Sequence, residues 1–120
     1  MILIAASDSN IIYLLQRYAE ASGFQTVQVS PGKDVVELAR QINPSLIILE
    51  NDFPGMVDRA VLLGLKGAAT TREIPIVVYS CLDEEAGKPV EGVVGFLHKS
   101  VRYDDFLAVL KQAGSSPVSF

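Results

Sequence analysis

Three short stretches of this chain are apolar almost without interruption: Ile2-Leu3-Ile4-Ala5-Ala6, Leu46-Ile47-Ile48-Leu49 and Ile74-Pro75-Ile76-Val77-Val78-Tyr79. A strand with one wet face alternates apolar and polar residues, whereas a strand covered on both faces does not. These runs therefore predict strands buried on both sides, as in a parallel sheet. Thr26-Val27-Gln28-Val29 alternates, which suits a strand nearer an edge, and Val93-Val94-Gly95-Phe96-Leu97 supplies a fifth.

Between the runs the period becomes helical. Ile11, Leu14, Leu15, Tyr18, Ala19 and Ser22 fall on one face, with Ser9 placed to cap the start and Gly23 a natural left-handed stop. Val35, Val36, Leu38, Ala39 and Ile42 mark a second helix that ends before Asn43-Pro44. Asp58 is placed to cap a third, with Val61, Leu62 and Leu65 inward. That helix reads as weak, because Gly64 and Gly67 each cost about 1 kcal/mol relative to Ala. Tyr103, Phe106, Leu107 and Leu110 mark a last helix ended by Gly114. Repeated strand–helix alternation predicts an α/β fold: a doubly wound, five-stranded parallel sheet with helices on both faces. The expected strand order is 2-1-3-4-5, the flavodoxin-like arrangement. Residues 1–114 are expected to form the domain, with residues 115–120 a loose tail or the start of a linker.

Composition narrows the function classes. A net charge of −4 without any basic run is not the footprint of a nucleic-acid binder or of a surface that docks on anionic lipid. The single cysteine, Cys81, permits no internal disulfide, which suits a reducing cytoplasm. The start of the chain has no cationic stretch of the kind that opens a secretory signal, and no apolar run reaches membrane-spanning length. No glycine-rich phosphate loop follows the first strand, since Ala6-Ser7-Asp8-Ser9-Asn10 contains no glycine. That leaves a small flavodoxin-like ligand-binding protein as a minor alternative.

In a doubly wound sheet, chemistry belongs at the carboxyl ends of the strands. Those ends read Ala6-Ser7-Asp8, Glu50-Asn51-Asp52, Ser80-Cys81 and His98-Lys99. Four stretches around them resemble, in order and with near-family spacing, the motifs of the response regulator receiver domain family. Ile2-Leu3-Ile4-Ala5-Ala6-Ser7-Asp8 is similar to the first, and the run from Asn43 through Leu49-Glu50-Asn51-Asp52-Phe53-Pro54-Gly55-Met56 to the second. Ile74-Pro75-Ile76-Val77-Val78-Tyr79-Ser80-Cys81 and Gly95-Phe96-Leu97-His98-Lys99-Ser100 are similar to the third and fourth.

The resemblance implies a site. In the family an aspartate ending the third strand accepts a phosphoryl group from a histidine kinase, and two acidic residues after the first strand hold Mg²⁺. A hydroxyl after the fourth strand and a lysine after the fifth contact the phosphoryl oxygens. By position, Glu50 takes the phosphoacceptor place, Ala6 and Ser7 the places of the acidic pair, Ser80 the hydroxyl, Lys99 the lysine and Phe96 the switch aromatic. The departures fall on the chemistry. Ala6 offers no ligand and Ser7 only a neutral hydroxyl, so the cation loses its carboxylates. Glu50 is one methylene longer than aspartate, which sets its carboxylate deeper and out of line. Phosphoryl transfer depends on positioning and charge stabilisation, so this pattern implies a pseudo-receiver without cofactor or enzymatic activity. Lys99 is expected to pair with Glu50.

Gly87 and Pro89 fall where the family's fourth helix runs, so that helix is expected to be shortened or absent. The implied function is phosphorylation-independent protein–protein recognition in two-component-type signalling. The expected partners are a sensor kinase, an output domain or another regulator, with homodimer formation left open. The alternative is an active phosphoacceptor whose acidic site is rearranged onto Asp8 and Asp52, together with Glu50. Against it stands the ordinary role of such residues as helix caps or solvated loop acids.

Overall fold

A computed structural model describes residues 1–29, 34–50, 59–80, 93–98 and 102–112. The element order is β1 (Ile2–Ala5), α1 (Ser9–Ala21), β2 (Thr26–Val29), α2 (Asp34–Ile42), β3 (Leu46–Glu50), α3 (Arg59–Gly67), β4 (Ile76–Ser80), β5 (Val93–His98) and α4 (Tyr103–Gln112). All strand pairings are parallel and the order is β2-β1-β3-β4-β5, the flavodoxin-like order expected from the sequence. The strand expected from Ile74 begins two residues later, and Ile74 lies in the preceding turn. Asp58, the region of the family's fourth helix, Gly114 and the tail lie outside the described residues.

The continuously apolar runs behave as strands with two covered faces. Every residue of β1 is fully buried. Side chains alternate across a strand, and the core divides accordingly. Ile2, Ile4, Leu46, Ile48, Val77, Tyr79 and Leu97 pack against Ile11, Leu15 and Ala19 of α1 and Phe106, Val109 and Leu110 of α4. Leu3, Ala5, Ile47, Leu49 and Ile76 pack on the opposite side against Val35 and Ala39 of α2 and Val61 and Leu65 of α3. The alternating strand β2 is an edge and is only partly covered.

Helix ends follow from single residues. Gly23 has φ 85°, and the amide of Phe24 donates to Ala19 O at 2.9 Å while that of Gly23 donates to Glu20 O at 3.0 Å. This pair of bonds is the Schellman closure that a left-handed residue permits. Asn43, barred from the right-handed helical region by Pro44, sits at φ 48° and ends α2. At the far end of α3, the buried Thr71 hydroxyl donates to Leu65 O at 2.6 Å. Lys66 Nζ donates to Arg72 O and Ile74 O at 3.1 and 2.9 Å. Burial lowers the Lys66 pKa from the ordinary lysine value, and the Glu73 carboxylate offsets part of that effect.

Gly64 is more than a weak point in α3. A Cβ added there would lie 2.9 Å from Cγ2 of Val36, so its missing side chain lets α3 close on α2. Around Gly67 an added Cβ meets nothing within 4 Å. Gly67→Ala is therefore expected to stabilise the fold by about 0.4–1 kcal/mol. Gly64→Ala should instead incur an overpacking cost of about 1–3 kcal/mol. Urea unfolding midpoints check both, and Gly64→Ala should cost less when Val36 is first trimmed to Ala.

Candidate functional site

The strand order reverses between β1 and β3, and the carboxyl ends of these neighbours bring the candidate residues together. Their register pairs Ala5 with Leu49, so Ala6 and Glu50 are the next residues beyond the last pair. Ala6 is 2% exposed and is held from the β2 side. Its amide donates to Val29 O at 3.1 Å, and its carbonyl accepts from Gln28 Nε2 at 3.3 Å. Nothing in its side chain can ligate.

Glu50 continues the row of Leu46 and Ile48 past the edge of the core and is half-buried. One carboxylate oxygen, Oε2, accepts two hydrogen bonds from the same residue: the Ser7 amide donates at 2.8 Å and the Ser7 hydroxyl at 2.9 Å. Bonds to an ionised acceptor are shorter and stronger than neutral ones. The longer side chain of glutamate thus bridges to the segment after β1.

Asp8 has its own task. It is the N-cap of α1, with extended backbone (φ −76°, ψ 110°), and its Oδ1 accepts from the Asn10 amide at 2.9 Å. The capping role expected of Ser9 therefore belongs to the residue before it. The physical reason is reach: the helix begins at Ser9, and an N-cap side chain serves the amide two or three positions on. A carboxylate there also faces the positive end of the helix. At the last helix, Asp105 reaches back in a related way, accepting from the Arg102 amide at 2.9 Å.

The other candidates are placed only in part. Ser80 ends β4 opposite His98 at the end of β5, and Phe96 pairs in register with Val78. The side chains of Ser80 and Phe96, and the whole of Lys99 and Asp52, lie outside the described residues, as does the expected Lys99–Glu50 pair. The aromatics of α1 and α4 separate into two groups. Tyr18 stacks at a tilt on Tyr103 and Phe106, at ring-centroid distances of 5.5 and 5.9 Å. Tyr13 is 62% exposed, with the Arg17 guanidinium 5.8 Å from its ring centroid.

A magnesium ion takes oxygen ligands in near-octahedral array and relies on carboxylates for charge. The described donor set is poor in charge for one: Ala6 has no side-chain oxygen and its carbonyl accepts from Gln28, Ser7 turns its two hydrogens toward Glu50, Asp8 Oδ1 caps α1, and Glu50 is the one carboxylate at the ends of β1 and β3. Among the described residues no group of three His, Cys, Asp or Glu side chains is gathered as a metal site. Sequence reasoning placed Ser7 and Glu50 at one site but treated Ser7 only as a missing ligand. The signal available was complementarity, a hydroxyl donor opposite a carboxylate acceptor across adjacent strand ends.

Comparison with known proteins supports a consistent assignment. No family model matches the chain. Protein PilH of Pseudomonas aeruginosa is 28% identical over 112 residues, covering 91% of this chain and 93% of its own. The polar-differentiation response regulator DivK of Brucella ovis is 25% identical over 114 residues, covering 92% of each. Among solved structures, the receiver domain of the sensor histidine kinase PA1611 from Pseudomonas aeruginosa superposes with a TM-score of 0.78 at 14% identity. The match covers 95% of this chain and 97% of that one, and a magnesium ion is coordinated in that protein's active-site cleft. The chain is thus similar to response regulators along nine-tenths of its length and shares the five-stranded fold of a receiver domain.

Proposed function

We propose that this chain is a receiver-like module of two-component signalling that acts by protein–protein recognition without phosphoryl transfer. The observation that supports this reading is the double hydrogen bond from Ser7 to Glu50. In a receiver the equivalent place gathers three acidic side chains whose mutual repulsion a divalent cation relieves. Here Ala6, Ser7 and Glu50 carry a single negative charge, and Ser7 answers it directly. Glu50 stands at the degenerate phosphoacceptor position, Ala6 and Ser7 at those of the missing acidic pair, Ser80 and Lys99 at the phosphoryl contacts and Phe96 at the switch aromatic. The glutamate bears −1, against roughly −1.5 to −2 for a phosphorylated side chain, so it imitates that state only in part. The partners in this reading are a sensor kinase, an output domain or another regulator in the cytoplasm.

The competing reading, an active phosphoacceptor with its metal site moved to Asp8 and Asp52, requires the Asp8 carboxylate to serve a metal as well as the α1 cap, which engages its Oδ1. Incubation with acetyl phosphate and Mg²⁺, followed by intact-mass measurement, should leave the mass unchanged. A stoichiometric phosphoryl adduct would overturn the proposal. Asp8→Ala should lower stability by about 0.5–2 kcal/mol, whereas Asp8→Asn and Asp8→Ser, which preserve a capping oxygen, should stay close to the parent in urea unfolding. Loss of a saturable Mg²⁺ heat in Asp8→Asn would instead favour the rearranged metal site.

A further inference from the structure

The carboxyl ends of β1 and β3 lie side by side. These strands are adjacent in the sheet, and the polar segment 6–8 leaves β1 beside the last residue of β3. An acidic residue in that segment would need a cation between itself and Glu50. The chain instead sets both hydrogens of Ser7, amide and hydroxyl, on Glu50 Oε2. One step along, Asp8 fixes the start of α1 through the Asn10 amide. One step back, Ala6 is held to β2 through Val29 and Gln28.

Resting on the receiver reading above, we infer that the Ser7–Glu50 pair is a metal-free strut: it performs the tying role of a divalent cation and makes the site independent of one. Two arguments carry this. The first is charge. A cation is held where carboxylates face each other, and here Glu50 Oε2 faces the amide and hydroxyl of Ser7 instead. The second is geometry. Both bonds, the amide at 2.8 Å and the hydroxyl at 2.9 Å, converge on one oxygen, so they fix the direction of the 6–8 segment and not merely its distance. Both donors of the strut belong to Ser7, so an acid at that position should create a need for metal. Ser7→Asp would oppose two carboxylates at a separation that now suits a hydrogen bond.

The test is thermal unfolding of the parent, Ser7→Ala, Glu50→Gln, the double variant and Ser7→Asp, each in EDTA and in millimolar Mg²⁺. The parent midpoint should be the same in both solutions. Ser7→Ala and Glu50→Gln should each lower it by roughly 3–6 °C, the scale of about 1 kcal/mol for one lost hydrogen bond in a domain of this size. The double variant should fall by less than the sum. Ser7→Asp should be the least stable in EDTA and should regain several degrees in Mg²⁺. Additive losses in the double variant, or a parent midpoint raised by Mg²⁺, would overturn the strut. Should Ser7→Asp fail to fold, the cycle of Ser7→Ala and Glu50→Gln still decides. The acetyl phosphate experiment is read separately: an adduct with the coupling retained would sink the phosphorylation-independent function and uphold the strut.

Discussion

A parallel sheet covered on both faces has polar freedom only at its strand ends, and that constraint organises this molecule. Along β1 every side chain is fully buried, because α1 and α4 cover one face and α2 and α3 the other. A charged group within the strands would be separated from water without a partner, at a cost the fold could not offset. Glu50 is tolerated because it is the last residue of β3, half-buried, with two donors converging on it. The change in strand order between β1 and β3 then decides which ends meet.

At the carboxyl ends of β1 and β3, the side chains of Ala6, Ser7 and Glu50 include a single carboxylate. The fold superposes on a receiver domain that coordinates magnesium, yet the described side chains present one carboxylate where that chemistry gathers several. A bridge through a bound cation depends on the ion's concentration, whereas a hydrogen bond between two side chains needs no third component. Ionic strength and metal availability act on the first far more than on the second.

Much of the architecture was legible because burial leaves a plain mark on sequence. Uninterrupted apolar runs located the central strands, alternation placed β2 at an edge, and Gly23 marked the end of α1. The residues misread were those whose meaning depends on a neighbour distant in sequence. Gly64 reads as a helix-weakening residue until Val36 of another helix is found against it. Ser7 reads as a lost ligand until Glu50, 43 residues away, is seen to accept its hydrogens. The shift of the α1 cap from Ser9 to Asp8 has a different origin. Both residue types cap well, and only the position of the first helical turn distinguishes them. The resemblance located the site as a place; the interactions inside it required side-chain positions.

The long sequence interval between Ser7 and Glu50 also bears on how the site comes into being. The segment after β1 emerges early in the chain, but its acceptor arrives only with the end of β3. Bringing these ends together requires closing a large loop before any compensating contact forms, and non-local parallel pairing of this kind is slow to nucleate. β1 meets β2 over a shorter interval, so the edge pair and α1 form a local unit that can precede the central pairing. The carboxyl-end site is complete only when the order-reversing β1–β3 junction has closed.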